Sequence, residues 1–322
     1  MAIIEVNFIS KCLMRVVTFN AIIPVDKFGP QAENAEQKPL KTLYLLHGIF
    51  GNYTDWVNGT RIQAWAEAND LAVIMPSGEN RFYLDDEKSG ELYGEFIGKE
   101  LVEFTRKLFP LSDKREDTFI AGLSMGGYGA IRNGLKYAEN FGCVIGLSAA
   151  LVHDTWKDAD NSAPIFTFRR NYYEAVFGEY DKVKGSDKDP KALLLKLKEE
   201  GRPVPKMYLC CGTEDGLVTA NRDFRDFLNE NGVDLTYVEG PGKHDWVFWD
   251  TYIKKVLDWL PLNRTGAGIN SGNVKESRTE NRGTDDAEEE SEKLRKITMN
   301  VLTMQLNSIT IMDLIYRQLI NS

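Results

Sequence analysis

Residues 119–127 read Phe119-Ile120-Ala121-Gly122-Leu123-Ser124-Met125-Gly126-Gly127, an apolar run ending on a serine held between glycines as Gly-x-Ser-x-Gly. The run has the length of a buried strand and residues 128–137 have the character of a helix, so the serine falls on a strand-to-helix turn. Such a turn strains its central residue, and flanking glycines remove the Cβ atoms that would collide across it. The hydroxyl is thereby exposed. Free N–H groups and the positive dipole end of the following helix face any negative charge that develops beside it. The plain alternative is a glycine-rich turn without chemistry. A phosphate-cradling loop fails as a reading, because no Gly-x-x-x-x-Gly-Lys-Ser/Thr run is present.

A nucleophilic serine needs a base, and the chain has three histidines. His47 directly follows a strand-like run, where its expected work is to shape the loop after it. His153 opens a long insertion, and a solvated loop histidine is its simplest account. His244 lies in Gly240-Pro241-Gly242-Lys243-His244-Asp245-Trp246, after the last strand-like run, in a loop free to fold toward the serine. It is the expected base, and the order nucleophile, acid, histidine then requires an acid after an earlier core strand. Asp215, at the end of Met207-Tyr208-Leu209-Cys210-Cys211-Gly212-Thr213-Glu214-Asp215, is the first choice and Glu214 its nearest competitor. Asp234 starts a strand and Asp245 is chained too closely to His244, so both fit less well. Two backbone N–H groups are needed to hold an oxyanion: that of Met125, and one from the loop after the third strand, Ile49 ahead of Phe50. Phe50, Tyr83, Trp156 and Trp246 are the aromatic candidates for touching a ligand, with simple packing as the alternative.

Outward from the serine, short apolar runs at 43–46, 72–75, 118–121, 143–147 and 206–210 end near Gly, Pro, His or Ser. Helical stretches at 92–108 and 221–231 lie between them, and the pattern is α/β, with a mostly parallel sheet covered on both faces. In such a sheet a site belongs at the carboxyl ends of the strands. Runs 3–8 and 16–23 have no helix between them and read as antiparallel edge strands. Residues 151–205, too long for a plain connection after the sixth strand, read as a lid. One catalytic domain over 1–263 is expected, then a polar acidic linker over 264–294. Ile297, Val301, Met304, Ile311, Ile315 and Leu319 recur at helical spacing in the final stretch, 295–322.

The 322 residues, 43% of them apolar, suffice for one large core. A net charge of −9 argues against nucleic acid as a partner, since phosphate binding needs clustered Lys and Arg. No apolar run spans a bilayer, and residues 1–10 lack the basic cluster of a secretory signal. The four cysteines, with adjacent Cys210 and Cys211 expected on opposite strand faces, read as reduced and favour a cytoplasmic setting.

Three further motifs carry a resemblance: Tyr44-Leu45-Leu46-His47-Gly48, Met75-Pro76-Ser77-Gly78 with Phe82-Tyr83, and Gly122-Leu123-Ser124-Met125-Gly126-Gly127-Tyr128-Gly129-Ala130. Over residues 1–260 the chain resembles the esterase D group of α/β hydrolases, particularly its bacterial tributyrin-esterase branch. The resemblance implies the α/β-hydrolase fold and hydrolysis of short acyl esters, with Ser124, Asp215 and His244 at the group's triad positions. It implies no metal and no organic cofactor. The group includes S-formylglutathione hydrolases, acetyl and feruloyl esterases and mycolyl-type acyltransferases. The loop His47-Gly48-Ile49-Phe50-Gly51-Asn52 lacks the cysteine usual in S-formylglutathione hydrolases, so carboxylic esters are the expected substrates. The expected partner is therefore a small ester, with self-association left open.

Overall fold

Alternation of buried side chains between two faces organises the molecule. From Leu43 to Leu46, Leu43 and Leu45 enter one apolar cluster while Tyr44 and Leu46 enter another, and Phe119, Ile120 and Ala121 divide in the same way. A strand whose successive side chains are all buried must have cover on both faces, which is what a parallel sheet requires.

The computed structural model describes residues 2–27 and 38–262. The expected linker 264–294 and helix 295–322 lie outside the described residues. Strands β1 (Ala2–Ser10), β2 (Arg15–Ile23), β3 (Lys41–Leu46), β4 (Leu71–Pro76), β5 (Thr118–Leu123), β6 (Cys143–Leu147), β7 (Lys206–Gly212) and β8 (Leu235–Gly240) form one sheet. Their order is β1-β2-β4-β3-β5-β6-β7-β8. The first two strands pair antiparallel with each other, β2 pairs antiparallel with β4, and all other neighbours are parallel. Alternating exposure along β1 marks it as the sheet's half-covered margin.

Helices α1 (Asp55–Gly59), α2 (Ile62–Ala68) and α3 (Leu101–Leu108) precede α4 (Met125–Lys136), which starts at the serine; a short helical turn and a π-turn lead into α3 from Tyr93. They are followed by α5 (Arg170–Phe177), α6 (Pro190–Glu199), α7 (Val218–Glu230) and α8 (Trp246–Trp259). One face of the sheet is covered through α3, α4, α6 and α7, the other through α1, α2 and α8. The helices expected at 92–108, 128–137 and 221–231 are present with slightly different bounds.

Residues 151–205 follow β6, the sixth strand, and carry α5 and α6. They are fastened to the sheet domain by polar bonds. Tyr128 O–H donates to the Lys188 carbonyl at 2.5 Å, and wholly buried Arg132 donates to both the carbonyl and the carboxylate of Asp187. Tyr172 O–H reaches the Asn80 carbonyl at 2.7 Å. His153, expected to be solvated, is instead buried, with Nε2 3.5 Å from Asp189 Oδ1. The insertion folds back on its own first turn and excludes water from that ring.

Candidate active site

Ser124 directly follows β5 and caps α4 with φ 52° and ψ −118°, a conformation that non-glycine residues rarely adopt. Its backbone is held on both sides: its N–H donates to the Leu147 carbonyl, and its carbonyl accepts from Tyr128 and Ala150 N–H groups. The flanking glycines are required by contact. A Cβ at Gly126 would meet the Leu46 and His47 carbonyl oxygens at 2.5 Å, and one at Gly122 would strike the Gly126 carbonyl. The expectation of a strained, glycine-flanked turn is met on both counts.

His244 Nε2 lies 2.9 Å from Ser124 Oγ and its Nδ1 lies 2.8 Å from Asp215 Oδ2. A carboxylate can only accept, so Nδ1 carries the proton and Nε2 is left to accept from the serine hydroxyl. Burial alone would raise the Asp215 pKa. Hydrogen bonds from His244 and from the Leu217 N–H, the latter 2.8 Å from Oδ1, outweigh it and hold the carboxyl below its usual value. Asp215 is thus buried and charged; Ser124, expected to be exposed on its turn, is instead buried beneath the loops that meet it, and the His244 side chain is 36% exposed. Ladder bonds continue past the strand ends to bring the three loops together: Ser148 N–H donates to Cys210 O, Thr213 N–H to Gly240 O and Glu214 N–H to Gly242 O.

Residues 18–260 match the family model described as "Putative esterase". The chain belongs to this esterase family. The esterase is 50% identical over 265 residues to an acetyl esterase of Caldicellulosiruptor saccharolyticus, an alignment covering 81% of this chain and 98% of that relative. Among solved structures it is similar to the fluorophosphonate-binding serine hydrolase F of Staphylococcus aureus, at 34% identity and TM-score 0.71 over 80% of this chain and 98% of that one. It is also similar to the S-formylglutathione hydrolase FrmB of Staphylococcus aureus, at 34% identity and TM-score 0.69 over the same shares of the two chains. The esterase is accordingly a carboxylic ester hydrolase of the α/β-hydrolase fold. Among the described residues no helix is long and apolar enough to cross a membrane, and no group of three or more His, Cys, Asp or Glu side chains is placed to hold a metal ion.

The competing acids are all otherwise placed. Glu214 is exposed, Asp234 faces Lys206 at the surface, and Asp245 caps α8 by accepting from the Phe248 N–H at 3.1 Å. His47 is buried, which lowers its pKa; Nε2 accepts from Gly78 N–H at 2.8 Å and Nδ1–H donates to the Gly48 carbonyl at 2.6 Å. Both ring nitrogens are used in shaping the loop after β3. The Phe50 N–H donates to Asn80 Oδ1 at 2.8 Å, while among the described residues no acceptor is found for the Ile49 or Met125 N–H.

Two of the esterase's four aromatic candidates are corrected by burial. Tyr83 is wholly enclosed with its hydroxyl on the His47 carbonyl, and Trp156 is enclosed against Tyr173 and Tyr180, so neither offers surface to a ligand. Phe50 is exposed, and Trp246 is half-buried, edge-on to Trp56 and Trp249. Sequence reasoning missed Trp249 and Ser148. The Trp249 ring packs edge-on to His244 at 4.9 Å, and its Nε1–H donates to Ser148 Oγ at 3.2 Å, beside Asp215. The available signal was position: Ser148 directly follows β6 at the carboxyl rim, and Trp249 lies five residues beyond His244.

Proposed function

We propose that the chain is a serine carboxylesterase of short-chain acyl esters, acetyl and butyryl, with carbohydrate-linked and hydroxycinnamoyl esters as further candidate substrates. Ser124 is the nucleophile, His244 the base and Asp215 the residue that holds the imidazole's tautomer. The observation that carries the reading is the continuous hydrogen-bonded line from Ser124 through His244 to Asp215, at 2.9 and 2.8 Å. As Ser124 Oγ attacks the ester carbonyl, its proton passes to His244 Nε2, and the imidazolium is stabilised by the buried carboxylate. The Ile49 and Met125 amides receive the oxyanion. His244 then gives its proton to the departing alcohol, and water activated by the same ring frees the acid from the acyl-enzyme. The acetyl esterase relative supports the acyl preference. The four unpaired cysteines support a cytoplasmic setting.

Ser124→Ala tests this directly. The variant is expected to keep its fold by circular dichroism and to lose both p-nitrophenyl acetate turnover and covalent labelling by a fluorophosphonate; retained turnover would remove the assignment. Similarity to an S-formylglutathione hydrolase favours a second reading, thioester hydrolysis. A higher kcat/KM on S-formylglutathione than on p-nitrophenyl acetate and butyrate would favour it over the first.

A further inference from the structure

The loop after β3 is gripped by the loop after β4 through four hydrogen bonds. Gly78 N–H donates to His47 Nε2, Phe50 N–H to Asn80 Oδ1 and Tyr53 N–H to Ser77 Oγ, at 2.8, 2.8 and 3.1 Å, and Tyr83 O–H donates to the His47 carbonyl at 3.0 Å. Three contacts around this loop fix two consecutive peptide planes. The Gly48 carbonyl accepts from His47 Nδ1–H and from Gly51 N–H. In a trans peptide the N–H points opposite to its C=O, so the Ile49 N–H is turned away from His47 and Gly51. Gly48 itself lies against the serine, since a Cβ built on it would come 3.6 Å from Ser124 Cβ. The next plane, Ile49 to Phe50, is fixed by Asn80 through the Phe50 N–H. Phe50 sits at φ 67°, a left-handed conformation that strains a non-glycine residue and persists only where its surroundings enforce it.

We infer that Asn80 is a positioning residue for the esterase reaction: by accepting the Phe50 N–H it holds that amide out of the oxyanion site and presents the Ile49 N–H in its place. Tyr172 of the insertion holds Asn80 from behind through the Asn80 carbonyl, so the insertion buttresses the loop after β3. The inference rests on the assignment of Ile49 as an oxyanion donor. Its energetic consequence lies in the transition state, because the ground-state carbonyl makes little demand on a donor placed for the oxyanion.

The test is Asn80→Leu, similar in size and without the acceptor, in the full chain with p-nitrophenyl butyrate as substrate. Removing an oxyanion donor outright costs about 100–1,000-fold in kcat, and a misplaced donor is expected to cost about 10–100-fold, with KM changed less than about threefold. The inhibition constant of butylboronic acid, whose tetrahedral adduct on Ser124 occupies the same donors, is expected to rise in step with the fall in kcat/KM. Asn80→Asp keeps an acceptor oxygen and is expected to recover part of the loss. Tyr172→Phe is expected to show the same kcat-selective effect, smaller in size. A kcat for Asn80→Leu within about threefold of the parent, or a loss confined to KM with boronate binding unchanged, overturns the inference. If Asn80→Leu does not fold, an unchanged kcat in Tyr172→Phe overturns it. Activity surviving in Ser124→Ala would instead sink the underlying nucleophile assignment, so the two failures are distinguishable.

Discussion

At Asp215 the carboxylate accepts hydrogen bonds from the His244 ring and the Leu217 N–H, lies beside the Ser148 hydroxyl, and is closed off from water. Replacing it by Asn leaves the shape but offers the ring an N–H where it needs an acceptor, which favours the wrong tautomer. Asp215→Asn is expected to lower kcat by about 10⁴, the loss a triad acid shows when only its tautomer control is removed, with Glu214→Gln near the parent value. Steady-state kinetics on p-nitrophenyl acetate decide it, and the reverse pattern would move the acid to Glu214. The residue types and their order were readable without the fold, because chemistry restricts a serine's base to few side chains and the chain offers three histidines. Burial was not readable. Tyr83 and Trp156 have the look of pocket-lining aromatics in the sequence and prove to be enclosed, since a one-dimensional string does not say which neighbours cover a ring.

Among the elements, the insertion over 151–205 is held together internally at the cap of α6. Asp189 accepts from the Lys191 and Gly185 N–H groups at 2.9 Å each and faces buried His153. Burial alone would raise its pKa, but the contact with His153 and the two amide bonds outweigh it and bring it from 3.8 to about 2. A carboxyl whose folded pKa is depressed stabilises the fold above its unfolded value and loses that contribution as protons are added. The stability supplied by Asp189 is therefore complete above about pH 4–5 and disappears as pH falls toward 2. At neutral pH, Asp189→Ala is expected to cost about 2 kcal/mol, combining a lost helix cap with unpartnered buried donors. The gap from the parent in urea-denaturation midpoint should narrow below pH 4; a gap independent of pH would show that the carboxylate charge plays no part. The sequence marks this stretch as an insertion by its length and aromatic content. Its anchorage through Arg132, Tyr128 and Asn80 joins residues tens of positions apart, and no local pattern encodes that.

Across the whole molecule, the parallel direction of β3, β5, β7 and β8 delivers His47, Ser124, Asp215 and His244 to the same rim. The antiparallel pair β1 and β2 stands outside this group and supplies none of these four side chains. We propose residues 1–263 as the catalytic unit, since the family match ends at 260 and the acetyl esterase relative aligns over nearly its whole length with 81% of this chain. A chain ended after Leu262 is expected to keep kcat/KM within about twofold of the full chain, because the contacts of the site found among the described residues are sufficient to assemble it. A loss beyond tenfold would give the remaining residues a part in catalysis. What the amino-acid order determined by itself was the class of sheet, the strained turn at Ser124 and the succession of serine, carboxylate and histidine, because backbone sterics, side-chain period and functional-group chemistry are local properties. The tertiary structure alone decided that the Phe50 N–H is taken by Asn80, that His153 is dry, and that Trp249 and Ser148 pack beside Asp215 and the His244 ring. Those outcomes depend on which distant strands become neighbours, and close packing, unlike periodicity, is set by all the partners at once.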